Sequence, residues 1–140
     1  MATEKKTTVS QLIVDGLVTS KTNTSSSNTV SGATTLTTEQ FLGGLVLHDP
    51  QGDVALTTPS AADIVSALGS QVHKGATIDL LVRNTADADE TITLTAGSGV
   101  TISGTATIAQ NNSKTLKIVV TNVTPSSEAV TVYSCGTSVH

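Results

Sequence analysis

From Thr77 to Val132 the apolar residues recur at every second position. Ile78, Leu80 and Val82 alternate with Asp79, Leu81 and Arg83, and Ile92, Leu94 and Ala96 alternate with Thr91, Thr93 and Thr95. Val100 and Ile102, then Leu116, Ile118 and Val120, then Val130 and Val132 continue the pattern. A period of two sends successive side chains to opposite faces of an extended strand, so these segments build sheets with one apolar face. Thr on the other face has high strand propensity and tolerates water. Turn chemistry separates the strands at Asn84–Glu90, Gly97-Ser98-Gly99, Gln110–Lys114 and Asn122–Ser127. Short alternating strands at this spacing predict a mainly β fold: an antiparallel β-sandwich or barrel-like domain.

The period changes once, to that of a helix. Ala61, Ile64, Val65 and Leu68 fall at i, i+3, i+4 and i+7, which predicts one short helix over about 59–68 lying against a sheet. Thr58 can cap it, Pro59 suits its first position and Gly69 its end. Before it, Thr37–Gly44 reads as a helical turn capped by Thr37 and stopped at Gly43. Leu45-Val46-Leu47 reads as a strand, His48–Asp53 as a turn and Val54-Ala55-Leu56 as the returning strand.

Residues 1–36 differ in kind. Lys21–Thr35 has almost no large apolar side chain and cannot bury enough surface to offset the entropy of ordering. The chain therefore divides into an extended N-terminal arm, 1–36, and a β domain, 37–140. The arm holds one apolar island. Its residues Leu12, Ile13, Val14, Leu17 and Val18 are the candidate partner contact, adding as a strand to a neighbouring subunit or another surface. A peripheral strand of the same chain is the alternative.

The core must be built almost without aromatics, since the chain has one Phe, one Tyr and no Trp. Aromatic side chains each bury a large area, so a core of Val, Ile, Leu and Ala is thin in a domain of this size. Self-association is the usual remedy. The single Cys135 excludes an intramolecular disulfide and leaves an intersubunit bridge or a free thiol. A net charge of −4 with scattered basic residues argues against nucleic-acid binding. No apolar run is long enough to span a membrane, and no apolar stretch of a secretory signal follows Lys5 and Lys6. Synthesis in a cytoplasm is expected.

No constellation for catalysis stands out. His48, His73 and His140 are far apart, without metal-ligand spacing, and Cys135 has no CxxC partner. Ser and Asp are too common here for a Ser/His/Asp match to be informative, and no GxSxG sequence marks a nucleophile. Gly97-Ser98-Gly99 lacks the lysine and the helix of a phosphate loop and reads as a hairpin turn. Asp87, Asp89 and Glu90 form the only acidic cluster; a solvated loop suits them, since their spacing fits no EF-hand. The sequons at Asn23, Asn111 and Asn122 arise readily in a chain about 30% Ser and Thr. The expectation is a protein that is not an enzyme and needs no cofactor or metal.

One ordered set of motifs carries a resemblance. Gly43-Gly44 precedes the strand Leu45-Val46-Leu47, and Thr58-Pro59-Ser60-Ala61-Ala62 opens the helix. Gly75 and a strand closing at Arg83-Asn84 follow, and then Thr93-Leu94-Thr95-Ala96-Gly97-Ser98-Gly99-Val100-Thr101. From Thr37 to Tyr133, about two-thirds of the chain, this resembles small β domains of virion structural proteins in phages and large viruses. Related chains more often carry Leu before the helix proline, where this chain has Thr58. The resemblance implies a role on the capsid surface as a decoration, cement or fibre protein, typically as a homotrimer.

The leading expectation is a capsid decoration protein at the surface of the virion, made in the host cytoplasm. It would associate with itself and dock its arm on the major capsid protein or another virion protein. A fibre, tail or filament subunit assembling by strand exchange is the second reading. A receptor- or glycan-binding tip is the third, and it has only Phe41 and Tyr133 to stack on a sugar ring.

Overall fold

Val, Ile and Thr are stiff at χ1 and fit a pleated surface. The segments rich in them form the strands of this computed structural model, which describes residues 28–140. In chain order these are β1 (Thr29–Ser31), β2 (Thr34–Thr35), β3 (Leu45–Asp49), β4 (Val54–Thr57), β5 (Thr77–Asn84), β6 (Ile92–Thr95), β7 (Val100–Ser103), β8 (Thr107–Ile108), β9 (Asn112–Asn122) and β10 (Ala129–Val139). Helix α1 (Thr38–Leu42) lies between β2 and β3, and α2 (Ala61–Leu68) between β4 and β5. The strands form two sheets, ordered β1-β3-β5-β9-β10-β7 and β2-β4-β6-β8.

The first six strands obey one rule. Odd strands enter the larger sheet and even strands the smaller, so each of β1–β2, β3–β4 and β5–β6 is a rung made of strand, corner and strand. Successive rungs stack in parallel, β1 on β3 on β5 in one sheet and β2 on β4 on β6 in the other. Parallel neighbours need a crossover, and α1 and α2 supply it. The long hairpin β9–β10 then covers β5 antiparallel, β7 pairs β10 in parallel, and β8 closes the smaller sheet against β6.

The fold is thus mainly β with mixed sheets. The antiparallel pairing expected throughout is confined to β5–β9, β9–β10 and β6–β8. The physical reason is that alternation fixes which face is apolar but not which strand lies alongside. His48 and Asp49 of the expected turn belong to β3, and Pro50–Asp53 and Gly97-Ser98-Gly99 are corners that carry the chain between sheets, where hairpin geometry would have turned it back within one. Two helices are present where one was expected. The turn after Thr37 closes into α1 through a reciprocal capping box, in which Gln40 N donates to Thr37 Oγ1 and Thr37 N to Gln40 Oε1. Helix α2 is capped by Ser60, whose hydroxyl accepts from Asp63 N, so its start lies two residues beyond the expected one. The strand β9 likewise takes in Asn112–Lys114, the end of the segment whose chemistry suggests a turn.

One apolar cluster draws on both sheets and both helices, with Phe41, Leu56, Ile64, Leu80, Ile92, Ile108 and Ile118 all fully buried. The one Phe belongs to it, 1% exposed on α1. Residues 29–36 of the expected arm lie inside this architecture, and Leu36 is buried with its N–H donating to Thr57 O. Residues 1–27 of that arm lie outside the described residues.

Candidate functional site

The N-terminal end of the rung stack is the feature with most to offer a partner. Thr29-Val30-Ser31 runs as β1, and Gly32, at φ +63°, turns the chain into the smaller sheet, where Thr34–Thr35 forms β2. A positive φ of this size suits glycine. On its inner side the rung is tied down by Gly32 N to Asp49 O and Leu36 N to Thr57 O. Among the described residues no further strand follows β1 or β2, which end the two sheets on this side. Ser31 and Thr35 are exposed, Val30 is half-buried, and Asn28–Thr38 contains no charged residue and no Pro. Natural edge strands are usually blunted by charge, Pro or a covering segment. This pair carries the backbone template for strand addition without the first two.

His48 fixes the rung from beneath. It is fully buried on β3, and its Nε2 lies 2.7 Å from Gly32 O. A carbonyl oxygen only accepts, so Nε2 carries the proton, and the buried Nδ1 has no partner. Burial is the main influence and lowers its pKa below 6.5, while the Gly32 bond and the Asp49 charge oppose it. The unfolded chain takes up a proton near pH 6.5 and the folded chain only lower, so stability is full above that pH and falls as pH drops below it. Urea midpoints should therefore fall between pH 7.5 and 5.5, and by less in His48→Gln. An equal fall in both proteins would assign the effect to other groups.

The remaining polar side chains of the interior also do structural work. Asn84, fully buried on β5, donates to Glu90 O and Ile108 O and accepts from Ala86 N. Lys114 sits on the core side of β9, 1% exposed, with Nζ donating to Thr105 O at 2.9 Å; burial lowers its pKa. Thr58 is buried as well, and its hydroxyl accepts from Gly97 N and leaves the capping of α2 to Ser60. Sequence reasoning missed all three. The one available signal was parity: Lys114 shares the odd-even phase of Leu116 and Ile118, and Asn84 that of Leu80 and Val82.

The residues singled out for chemistry remain apart. His140 Nε2 meets Ser113 Oγ at 2.8 Å, His73 is exposed, and His48 is the buried one. Asp87 and Asp89 are exposed in the corner of the third rung, and no three His, Cys, Asp or Glu among the described residues are grouped to hold a metal. A groove of about 420 Å³ opens beside β2, with Thr35, Leu36, Thr37, Pro59, Ser60 and Asp63 among its lining residues. The Asp63 carboxylate there accepts from the Ser60 hydroxyl. Cys135 is a free, exposed thiol on β10. Of the two aromatics, Phe41 is enclosed in the core and Tyr133 is 43% exposed. No described helix is long and apolar enough to cross a membrane. Leu12, Ile13, Val14, Leu17 and Val18 lie outside the described residues, which begin at Asn28, next to β1. No family model, no curated protein and no solved structure matches the chain.

Proposed function

We propose that this chain is a virion structural protein, a capsid decoration or cement protein that self-associates and fastens to a larger particle through its N-terminal residues. The observation that supports this most is the pair of uncharged parallel edges, β1 and β2, at the end of the fold that residues 1–27 adjoin. Strand addition at such an edge gains main-chain hydrogen bonds from one segment to the next, while alternate side chains select the partner. Leu12, Ile13, Val14, Leu17 and Val18 are the proposed contact. The partners are further copies of the chain, in a trimer, and the major capsid protein or another virion protein. The thin, aromatic-poor core gives self-association an energetic motive.

Removing residues 1–27 tests this reading and spares β1, β2 and buried Leu36. The shortened protein should melt as a folded domain and bind particles at least tenfold more weakly. Unchanged binding would contradict the proposal.

A fibre or filament subunit is the second reading, and one observation favours it. β1 and β2 end the two sheets on one side, and β7 and β8 end them on the other. Joining these unlike ends head to tail gives an open filament when the rotation does not close. Micrographs of the purified protein without particles would then show filaments, whereas discrete oligomers favour decoration.

A further inference from the structure

We infer that the first rung, residues 29–35, is an acid-operated latch: proton uptake by His48 lets β1, the Gly32 corner and β2 open as one unit while the other strands stay paired. The geometry starts from where His48 sits. On β3 it lies in register with Val30 of β1 on one side and Asn84 of β5 on the other. Its side chain is fully buried, and its Nε2 donates to Gly32 O at 2.7 Å. Gly32, at φ +63°, is the bend between β1 and β2. The ring thus holds the rung at the point where the chain changes sheets.

A second proton has no place in this site. Nε2 spends its own on Gly32, and the buried Nδ1 has no partner. Protonation would put a charge and an unpaired N–H in the interior, and each is costly there. Among the described residues beside the ring, Val30 is apolar and Asn84 is neutral, with its amide engaged by Glu90 O, Ile108 O and Ala86 N. Asp49, next along β3, is the one charge that acts on the ring. Its Oδ2 accepts from Gln51, and its buried Oδ1 has no partner. Burial outweighs the attraction of Asp49, so the closed site takes up a proton only below pH 6.5.

The charged ring reaches water only when its cover moves, and the first rung is the easiest cover to move. β1 and β2 end their sheets on this side, so their opening keeps the pairs β3–β5 and β4–β6. Exposure from the other side would break β3–β5 and β5–β9. None of residues 29–35 is fully buried, so opening uncovers little apolar surface. Buried Leu36, with its N–H on Thr57 O, marks where the opening stops. The latch belongs to the rung itself. Its use, to release in acid a partner held on β1 and β2, rests on the proposed function.

Hydrogen exchange of the full chain, corrected for the intrinsic effect of pH on amide exchange, tests the latch. Two amides report opening: Gly32 N, which donates to Asp49 O, and Leu47 N, which donates to Asn28 O. Their protection should fall about tenfold from pH 7.5 to 5.5, as expected when only the open form binds the proton. It should also change little with low urea, whereas amides of β9–β10 follow urea as global unfolding does. In His48→Gln, whose amide can still donate to Gly32 O but does not titrate, the fall should vanish. Protection independent of pH in the unmodified protein would overturn the inference, as would an equal fall in His48→Gln. A fall at Gly32 and Leu47 with the urea dependence of β9–β10 would overturn it too, since global unfolding would then be the only opening. If His48→Gln does not fold, the pH and urea dependence of the unmodified protein decides. Particle binding enters no readout, so failure here leaves the proposed function to its own test.

Discussion

Replacing Gly97 with alanine should lower the stability of the domain by about 3 kcal/mol, the upper end for overpacking a filled interior. A Cβ at Gly97 would lie 2.5 Å from Thr58 O and 2.6 Å from Pro59 O. Both obstacles are backbone, so no side chain can swing aside. That backbone is itself fixed: Thr58 N donates to Thr95 O, and the Thr58 hydroxyl accepts from Gly97 N. The contact joins the second rung, where the chain approaches α2, to the corner that leads from β6 to β7. Gly136→Ala on β10 is the matched control, since its Cβ would meet nothing within 4 Å. Its effect should stay within about 0.5 kcal/mol. Equal unfolding midpoints for the two variants would show that the rungs are not in such close contact.

Asn84→Ala should cost a similar amount, about 3 kcal/mol. One side chain satisfies three backbone groups: its Nδ2 donates to Glu90 O at 2.8 Å and Ile108 O at 3.0 Å, and its Oδ1 accepts from Ala86 N at 3.0 Å. Two of these bonds fold the 84–90 corner on itself, and the third ties it to β8 across the core. Each buried group left unpaired costs about 1–3 kcal/mol, with partial relaxation expected. Asn84→Asp should be at least as damaging, because a carboxylate would face two carbonyl oxygens. Chemical unfolding of the three proteins checks both statements, and a loss below about 1 kcal/mol in Asn84→Ala would refute the role given to this residue.

Much of the secondary structure was legible because the relevant forces are local. The alternation at Ile78–Val82, Leu116–Val120 and Val130–Val132 marks strands, and the buried members are the ones the alternation selects. The capping of α1 by Thr37 follows from a hydroxyl three residues before Gln40. Pairing was not legible. Val54–Leu56 looks like a return strand, yet Leu56 pairs with Leu94, 38 positions away, because the Pro50–Asp53 corner passes between sheets. Nothing within a few residues of Leu56 records that choice. The first rung was hidden for the same reason, since residues 29–36 have too few apolar side chains to mark strands. They are held by backbone bonds to β3 and β4 and by buried Leu36. Thr58 shows a third limit. Its hydroxyl could cap a helix or bind across the rungs, and only the approach of Gly97 decides between them.

Self-association is the central proposal, and the molar mass of the full chain by light scattering over a dilution series tests it most directly. A stable trimer, about three times the 14.1 kDa of one chain, is the expected result. Growth without limit as concentration rises would move the assignment to the filament reading, still by self-association. A mass of one chain at every concentration would contradict the proposal.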